Sequence, residues 1–182
     1  VFNMFKQKFK LIVSAVVVSL MTACANIPEE AGSNWKMIEN YKSEAPFEVA
    51  VRATVPSGGT IPLDKTITLN VNSAAKGRLY VFSVDASDRI DMIFPNERPP
   101  KNGVDADVSY QVPPVMANWE FAIAEPVGPL MVATVVAKPG SPLDDLDVGS
   151  KSATITAALS AALKSHSVAM VTKTYKVVAK EK

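Results

Sequence analysis

Alternation of apolar and polar residues dominates the chain from position 47 onward, and this period of two is typical of half-buried β-strands. Turn-forming Pro, Gly, Asn and Asp residues separate the alternating segments, which are 47–55, 67–72, 79–85, 90–94, 108–112, 119–123 and 168–179. Residues 130–137 form a nearly continuous apolar run rich in β-branched side chains, as expected of a central strand. The pattern predicts an antiparallel β-sandwich of about eight short strands, with an open or closed barrel as the alternative.

One segment near the C-terminus has the periodicity of a helix. Ile155, Leu159 and Leu163 are spaced by four in an alanine-rich stretch, 152–164, which predicts an amphipathic helix. The expected fold class is therefore mainly β, with one C-terminal helix and a last strand, and residues 47–182 are expected to form one domain. Trp119 and Phe121 share one strand face, which predicts that both belong to the core.

Residues 24–46 differ in composition and hydrophobic periodicity from the domain that follows. They are polar and have no sustained apolar period, so we expect them to be a tether. Trp35, Ile38 and Tyr41 are spaced so that one or two helical turns would bring them near one face. Because so little apolar character is available for packing, the tether is expected to be dispensable for folding.

The first 23 residues have the layout of a secretory signal. Lysines precede an apolar run, 11–20, whose helix would be ~15 Å long, about half the hydrocarbon core of a bilayer. The sequence Met21-Thr22-Ala23-Cys24 then resembles the lipobox of bacterial lipoproteins, which implies a lipid thioether on Cys24 and cleavage before it. The alternative is an ordinary signal cut after Ala23, and 27–30 ends the apolar run too early for a retained membrane helix.

The resemblance to lipoproteins also implies a location. Residue 25 is alanine, whereas an aspartate there usually retains lipoproteins at the inner membrane of enteric-type bacteria. We therefore expect a lipid-anchored protein of the cell outer membrane that faces the periplasm, and exposure on the cell surface stays open. Cys24 is the only cysteine, so the domain has no internal disulfide, and lipidation would consume a thiol that has no partner.

The charge balance argues against binding to nucleic acid. The chain has 19 basic and 18 acidic residues, and loss of Lys6, Lys8 and Lys10 on processing leaves 16 basic against 18 acidic. A nearly neutral exported domain has no electrostatic reason to bind a polyanion.

Residue types that carry catalysis or bind metals are sparse. His166 is the only histidine, and its place just after the predicted helix is typical of a favourable contact with the helix dipole. Two acidic clusters match no calcium-loop spacing and are expected to be solvated turn residues. They consist of Asp85, Asp88 and Asp91, and of Asp144, Asp145 and Asp147. The sequence therefore predicts no catalytic residue, no cofactor, no metal site and no enzymatic activity.

Residues 77–96 resemble the core motif of the DUF4384 family. The motif starts with Gly77-Arg78-Leu79-Tyr80, continues through an Asp-rich turn and ends with Phe94-Pro95-Asn96. A later segment, 125–133, is similar to that family's Pro-x-Gly segment before a final hydrophobic strand. The resemblance covers about 47–137 and implies a β-sandwich-like module of exported or envelope proteins, with no known activity.

A proline-stiffened loop, 95–105, is the candidate partner-binding surface. It has three prolines and presents Glu97, Arg98 and Lys101, which we expect to project beyond a strand end. The first functional hypothesis is an accessory binding or assembly module of an envelope or secretion-associated complex, held on the membrane by its lipid and bound to an envelope protein. The alternative is a lipoprotein that binds a small ligand or glycan, and a hydrolase ranks third.

Overall fold

Two β-sheets and three helical segments make up the described part of the chain, which in this computed structural model is residues 31–42, 45, 47–98 and 100–180. The helical segments are helix α1 (Ser33–Glu39), a 3-10 helix (Pro142–Asp145) and helix α2 (Ser152–Lys164). The strands are β1 (Val49–Ala53), β2 (Thr60–Pro62), β3 (Leu69–Ser73), β4 (Gly77–Val84), β5 (Ile90–Phe94), β6 (Gly103–Val104), β7 (Ser109–Val112), β8 (Gly128–Ala137) and β9 (Val168–Val178).

The strands are divided between a large and a small sheet. The large sheet has the order β2-β9-β8-β4-β5, with β6 also paired to β4, and the small sheet has the order β1-β3-β7. The mainly β fold with a C-terminal helix and a last strand is confirmed, and the sheets do not close into a barrel. One pair departs from the predicted antiparallel pattern, because β2 runs parallel to β9. The alternation did not indicate β2, since it has only three residues and one is a proline.

Strand β4 separates two apolar cores. Tyr80, Phe82 and Val84 point into a helix-side core, where they pack with α1 and α2. Leu79 and Val81 point into a sheet-side core between the two sheets. The same alternation continues along β8, which pairs with β4 over seven residue pairs. Because both faces of these strands are buried, their sequences are apolar at successive positions instead of every second one.

Helix α1 corrects the boundary of the tether, because from Ala31 onward the described residues pack on the domain. Trp35 and Ile38 are only 4% and 1% exposed and belong to the helix-side core. The N-cap residue is Gly32, and a Cβ at that position would overlap the carboxylate of Asp88. That carboxylate, which lies in the β4–β5 turn, accepts from the backbone N–H groups of Asn34 and Trp35 at 3.0 and 2.9 Å. Asp88 therefore caps a helix whose bonded residues, Asn34 and Trp35, are 54 and 53 residues away in the chain.

The strand predicted for 119–123 is not a regular strand. Ile67 N donates to Phe121 O and Ile123 N donates to Lys65 O, each at 2.9 Å, but only a single bridge, between Thr66 and Ala122, is formed. Burial nevertheless follows the predicted alternation, with Phe121 and Ile123 buried and Glu120 and Ala122 exposed. Phe121 is buried in the sheet-side core as predicted, and Trp119 is half-buried against it.

No helix in the described ranges is long and apolar enough to span a membrane. The signal segment, 1–23, and Cys24 lie outside the described residues.

Removal of α1 should destabilise the domain, contrary to the expectation of a dispensable tether. A chain beginning at Ala45 loses the buried Trp35 and Ile38, and the free energy of unfolding should fall by several kcal/mol, equivalent to a melting temperature roughly 10 °C lower. The control is a chain beginning at Ala31, which keeps the helix and its cap. Thermal melts of the two chains by circular dichroism measure the difference, and melting within two degrees or so of each other would contradict the packing of α1.

Candidate functional site

The large sheet has an interrupted strand beside β4. Strand β5 ends at Phe94, which pairs with Val81, and β6 begins at Gly103, which pairs with Arg78. The backbone O of Asn102, next to β6, accepts from Leu79 N at 2.7 Å. An uninterrupted strand would need only one residue, opposite Tyr80, between Phe94 and Asn102. The chain instead has seven residues there, 95–101. We call this segment the first excursion.

The small sheet has a similar interruption. Strand β7 ends at Val112, opposite Leu69 of β3. Farther along the same edge, Ile67 N donates to Phe121 O, while Thr68, between them, bonds to Thr54 on the β1 side. Residues 113–120 therefore leave the sheet edge between two paired positions, and we call them the second excursion.

An apolar cleft of about 280 Å³ lies between these two edges. Leu79, Phe94 and Val104 line it from the large sheet, and Val112, Pro114 and Val115 line it from the small sheet and the second excursion. Val115 and its neighbour Met116 are 78% and 93% exposed. Among the described residues these are the two most exposed large apolar side chains. Val115 lines the cleft, and Met116 follows it in the chain; we call these two residues the rim.

Three polar side chains of the cleft wall, those of Asn102, Tyr110 and Gln111, are bonded within the fold. Asn102 Nδ2 donates to Leu79 O at 3.1 Å, and Gln111 Nε2 donates to Pro113 O at 3.1 Å. The Tyr110 hydroxyl accepts from Asp105 N at 2.9 Å. These bonds shape the wall and engage Asn102 Nδ2, Gln111 Nε2 and an acceptor site of the Tyr110 hydroxyl.

The predicted partner loop lies in the first excursion, and the structure divides its three residues. Arg98 Nη2 donates to Val148 O at 2.8 Å and pairs with Asp147 at 3.1 Å, so it fastens the excursion to the segment before α2. Lys101 lines the cleft and lies 4.0 Å from the carboxylate of Glu97. The loop begins where β5 ends, and the chain then returns to the same edge at β6.

A second polar cluster joins β4 to the 3-10 helix. The Tyr80 hydroxyl donates to Asp144 Oδ1 at 2.9 Å, and Arg78 Nη1 lies 3.3 Å from the same oxygen. The backbone N–H of Gly140 donates to Asp144 Oδ2 at 2.8 Å. Burial and the bond to Asp144 raise the pKa of Tyr80 to about 12. The phenol is therefore protonated at neutral pH and acts as a donor. The cluster links β4 to the 3-10 helix.

The acidic residues of the first cluster, Asp85, Asp88 and Asp91, have local partners. Asp85 Oδ1 accepts from Ser87 N and Arg89 N at 2.8 and 3.0 Å, and Asp88 caps α1. Arg89 pairs with Asp91 at 2.7 Å. Within the described ranges no group of three or more His, Cys, Asp or Glu side chains is arranged to hold a metal ion. The first cluster thus builds a turn and a helix cap.

His166 follows the C-cap of α2, Ser165, and has a left-handed φ of 51°. A residue in this conformation ends many helices, usually as glycine or asparagine. The lone histidine therefore lies at the turn from α2 into β9.

Comparison with known proteins bears on the stretch that contains the cleft. Residues 60–139 match the family model of DUF4384, described as a domain of unknown function. The match runs from β2 to β8 and includes both excursions and the Asp-rich turn. Helices α1 and α2 and strands β1 and β9 lie outside it, although they contribute to the same two cores. Neither the curated proteins nor the solved structures compared with the chain gave a match.

The rim residues of the cleft were not predicted from the sequence. Val115 and Met116 follow two prolines and belong to no alternating segment, which was the only available signal. The pairing of two distant edges around them depends on the tertiary fold.

The raised pKa of Tyr80 predicts how stability depends on alkaline pH. Because the folded-state pKa, about 12, is higher than the ordinary value of 10.0, the protonated phenol stabilises the fold fully below pH 10.0, and this contribution is lost as the pH rises through about 12. The loss should be on the order of 2 kcal/mol. Burial also raises the pKa of Tyr175, which adds a loss in the same direction.

Urea unfolding of wild type and Tyr80→Phe between pH 9 and 12 measures this effect. The variant should lose part of the wild-type stability at neutral pH, about 1 kcal/mol for the missing hydrogen bond, and its stability should then fall less steeply. Ser87→Ala, a change at an exposed side chain, should keep the wild-type slope. If the free energy of unfolding of wild type and of Tyr80→Phe fell in parallel as the pH rises, ionisation of this phenol would not be coupled to unfolding.

Proposed function

We propose that this protein is a lipid-anchored lipoprotein of the outer membrane that faces the periplasm and serves as an accessory binding module of an envelope assembly. The resemblance of 21–24 to a lipobox supports an anchor on Cys24, and Ala25 supports sorting to the outer membrane. The DUF4384 match at 60–139 is consistent with an envelope role through the resemblance described above. The proposal assigns no enzymatic activity.

The apolar cleft with its exposed rim is the observation that carries the binding role. An exposed valine and methionine side by side are costly in water and are typical of an interaction site. Methionine adapts its shape to a partner surface because its side chain is unbranched. We therefore assign the cleft and the second excursion to an apolar segment of an envelope protein, with Lys101 and Glu97 at the edge of the contact.

The cleft favours a protein segment over a small ligand or glycan for two reasons. Its volume of about 280 Å³ lies near the lower limit of small-molecule sites, which is ~300 Å³. A glycan also needs several converging polar groups, whereas the side chains of Asn102, Tyr110 and Gln111 are engaged within the fold. The small-ligand module remains the second candidate, favoured only by the concave shape.

Lipidation at Cys24 has a direct test. Cys24→Ser removes the thiol that would accept the lipid, so acyl labelling should be lost and the domain should leave the membrane fraction or persist as an uncleaved precursor. Metabolic labelling with a fatty-acid analogue and density-gradient separation of inner and outer membranes measure both properties. Mature Cys24→Ser protein that stays with membranes, or wild type in the inner-membrane fraction, would contradict the anchoring or the sorting, respectively.

The partner site is tested by charge placed on the rim. A photo-crosslinking residue at position 117 should give a discrete protein adduct in intact cells, and the double change Val115→Asp and Met116→Asp should abolish that adduct by making the rim polar. Both side chains are exposed, so stability should stay within about 0.5 kcal/mol. The matched control is Val127→Asp, because Val127 is a valine that is 45% exposed but does not line the cleft.

Two outcomes separate the candidates. An undiminished adduct in the folded double variant would remove the cleft from consideration as the partner site. Binding of a defined small molecule or glycan that the double variant loses, with no protein adduct in wild type, would favour the second candidate.

A further inference from the structure

Helix α1 begins at one defined end of the large sheet. Its first N–H groups are held by Asp88, which lies in the turn between β4 and β5. Asn34 makes two more contacts there, since its Nδ2 donates to Asp88 O at 2.7 Å and its Oδ1 accepts from Thr156 of α2 at 2.8 Å. We call this end of the sheet the turn end. Bonds to both the hairpin and α2 fix the first turn of α1 against it.

The far end of the sheet is reached by the last residues of the same segment. Trp35 and Ile38 are buried along the helix, and the hydroxyl of Tyr41 donates to Val168 O at 3.0 Å. Val168 pairs with Ala137, at the end of β8, whereas Gly128, at the start of β8, lies at the turn end. Strand β8 therefore separates the two ends by about 30 Å, and α1 runs from the turn end towards the far end.

Only a short piece of chain joins Cys24 to the fixed helix. Six residues separate Cys24 from Ala31, and Ala31 is already buried in the helix-side core. The path from Cys24 to Ala31, even if fully extended, spans at most ~25 Å. If residues 24–46 were all free, as expected from the sequence, the span to Phe47 could reach ~80 Å. Docking of α1 thus shortens the reach about threefold and moves the attachment point to the turn end.

We propose that α1 orients the anchored domain, with the turn end facing the lipid surface and the far end directed away from it. The inference rests on the proposed lipidation of Cys24. The bilayer surface is the partner of the turn end by proximity: the anchor can be no farther than ~25 Å from Ala31, which lies at the turn end, whereas the far end lies ~30 Å from the turn end. The cleft lies between the edge of the large sheet formed by β5 and β6 and the edge of the small sheet formed by β7.

Two cysteine reporters test the orientation in the full lipidated protein. Val127→Cys reports on the turn end, since Val127 precedes Gly128 and is half-exposed outside the helix cap. Ala106→Cys reports on the far end, since Ala106 is exposed just beyond β6, which pairs with the start of β4. Because Cys24 is the only native cysteine and would carry lipid, each introduced thiol is the single labelling site.

Energy transfer from a donor dye on each thiol to an acceptor dye on lipid headgroups compares the distances of the two reporters from the lipid surface. In phosphatidylethanolamine–phosphatidylglycerol vesicles, transfer should be greater from position 127 than from position 106. The matched control inserts 30 Gly/Ser residues after Glu30, which adds a flexible span of ~30 Å. The difference between the two reporters should be lost in that longer chain, because the anchor no longer restricts the domain.

The outcomes distinguish the inference from the function on which it rests. Absence of acyl lipid on Cys24 would overturn both. Acylated protein with equal transfer from the two positions, or with greater transfer from position 106, would overturn the orientation alone. A difference that persists unchanged in the chain with the insertion would also overturn it, since the orientation would then come from a lipid-binding face and not from the short attachment.

Discussion

The fold depends on covering both faces of β4 and β8 at once. Successive side chains on these strands point alternately into the helix-side and sheet-side cores, and almost all of them are buried. Burying one such aliphatic or aromatic side chain contributes about 1.5–3 kcal/mol, so loss of either cover would expose a whole apolar face. The large sheet is therefore stable only as the middle layer of three. This requirement explains why α1 belongs to the domain: it covers part of the face that α2 leaves open.

The Asp-rich turn between β4 and β5 shows how local chemistry serves this layered packing. Asp85 fixes the turn through its side-chain bonds to two backbone N–H groups. Asp88 has a left-handed φ of 59° and directs its carboxylate outward to the start of α1. The turn lies inside the segment that matches DUF4384, and α1 lies outside it. A residue of the matched segment thus holds an element that the family match does not include.

Sequence patterns were sufficient where periodicity was local. The four-residue spacing in 152–164 predicted α2 with the bounds that the structure shows, and the alternation predicted β4, β5 and β9 closely. Helix α1 has only seven residues, too few for a convincing period, and such a helix depends on tertiary contacts for its stability. The sequence did not predict that α1 belongs to the core, because the helix is held by a cap from the distant residue Asp88 and by packing on the helix-side core.

The candidate site was less predictable than the fold for the same physical reason. The prolines and charges of 95–105 correctly indicated a loop, but they did not indicate that Arg98 would bond to Val148 or that the chain would return to the same edge. The cleft forms because two edges, distant in the chain, are interrupted at facing positions. Val115 and Met116 form its exposed rim although they belong to no alternating segment.

The two excursions have a further effect on how the molecule behaves among its own copies. Uninterrupted edge strands expose a row of free N–H and C=O groups and invite pairing with another chain, which is a common start of aggregation. Here the edge beside β4 is divided into pieces of five and two residues, and β7 has four residues before the chain turns away. Strand β2, at the opposite edge of the large sheet, has three residues and includes Pro62. Short, broken edges of this kind let a β-rich domain present an apolar cleft while disfavouring the growth of intermolecular sheets at high local concentration.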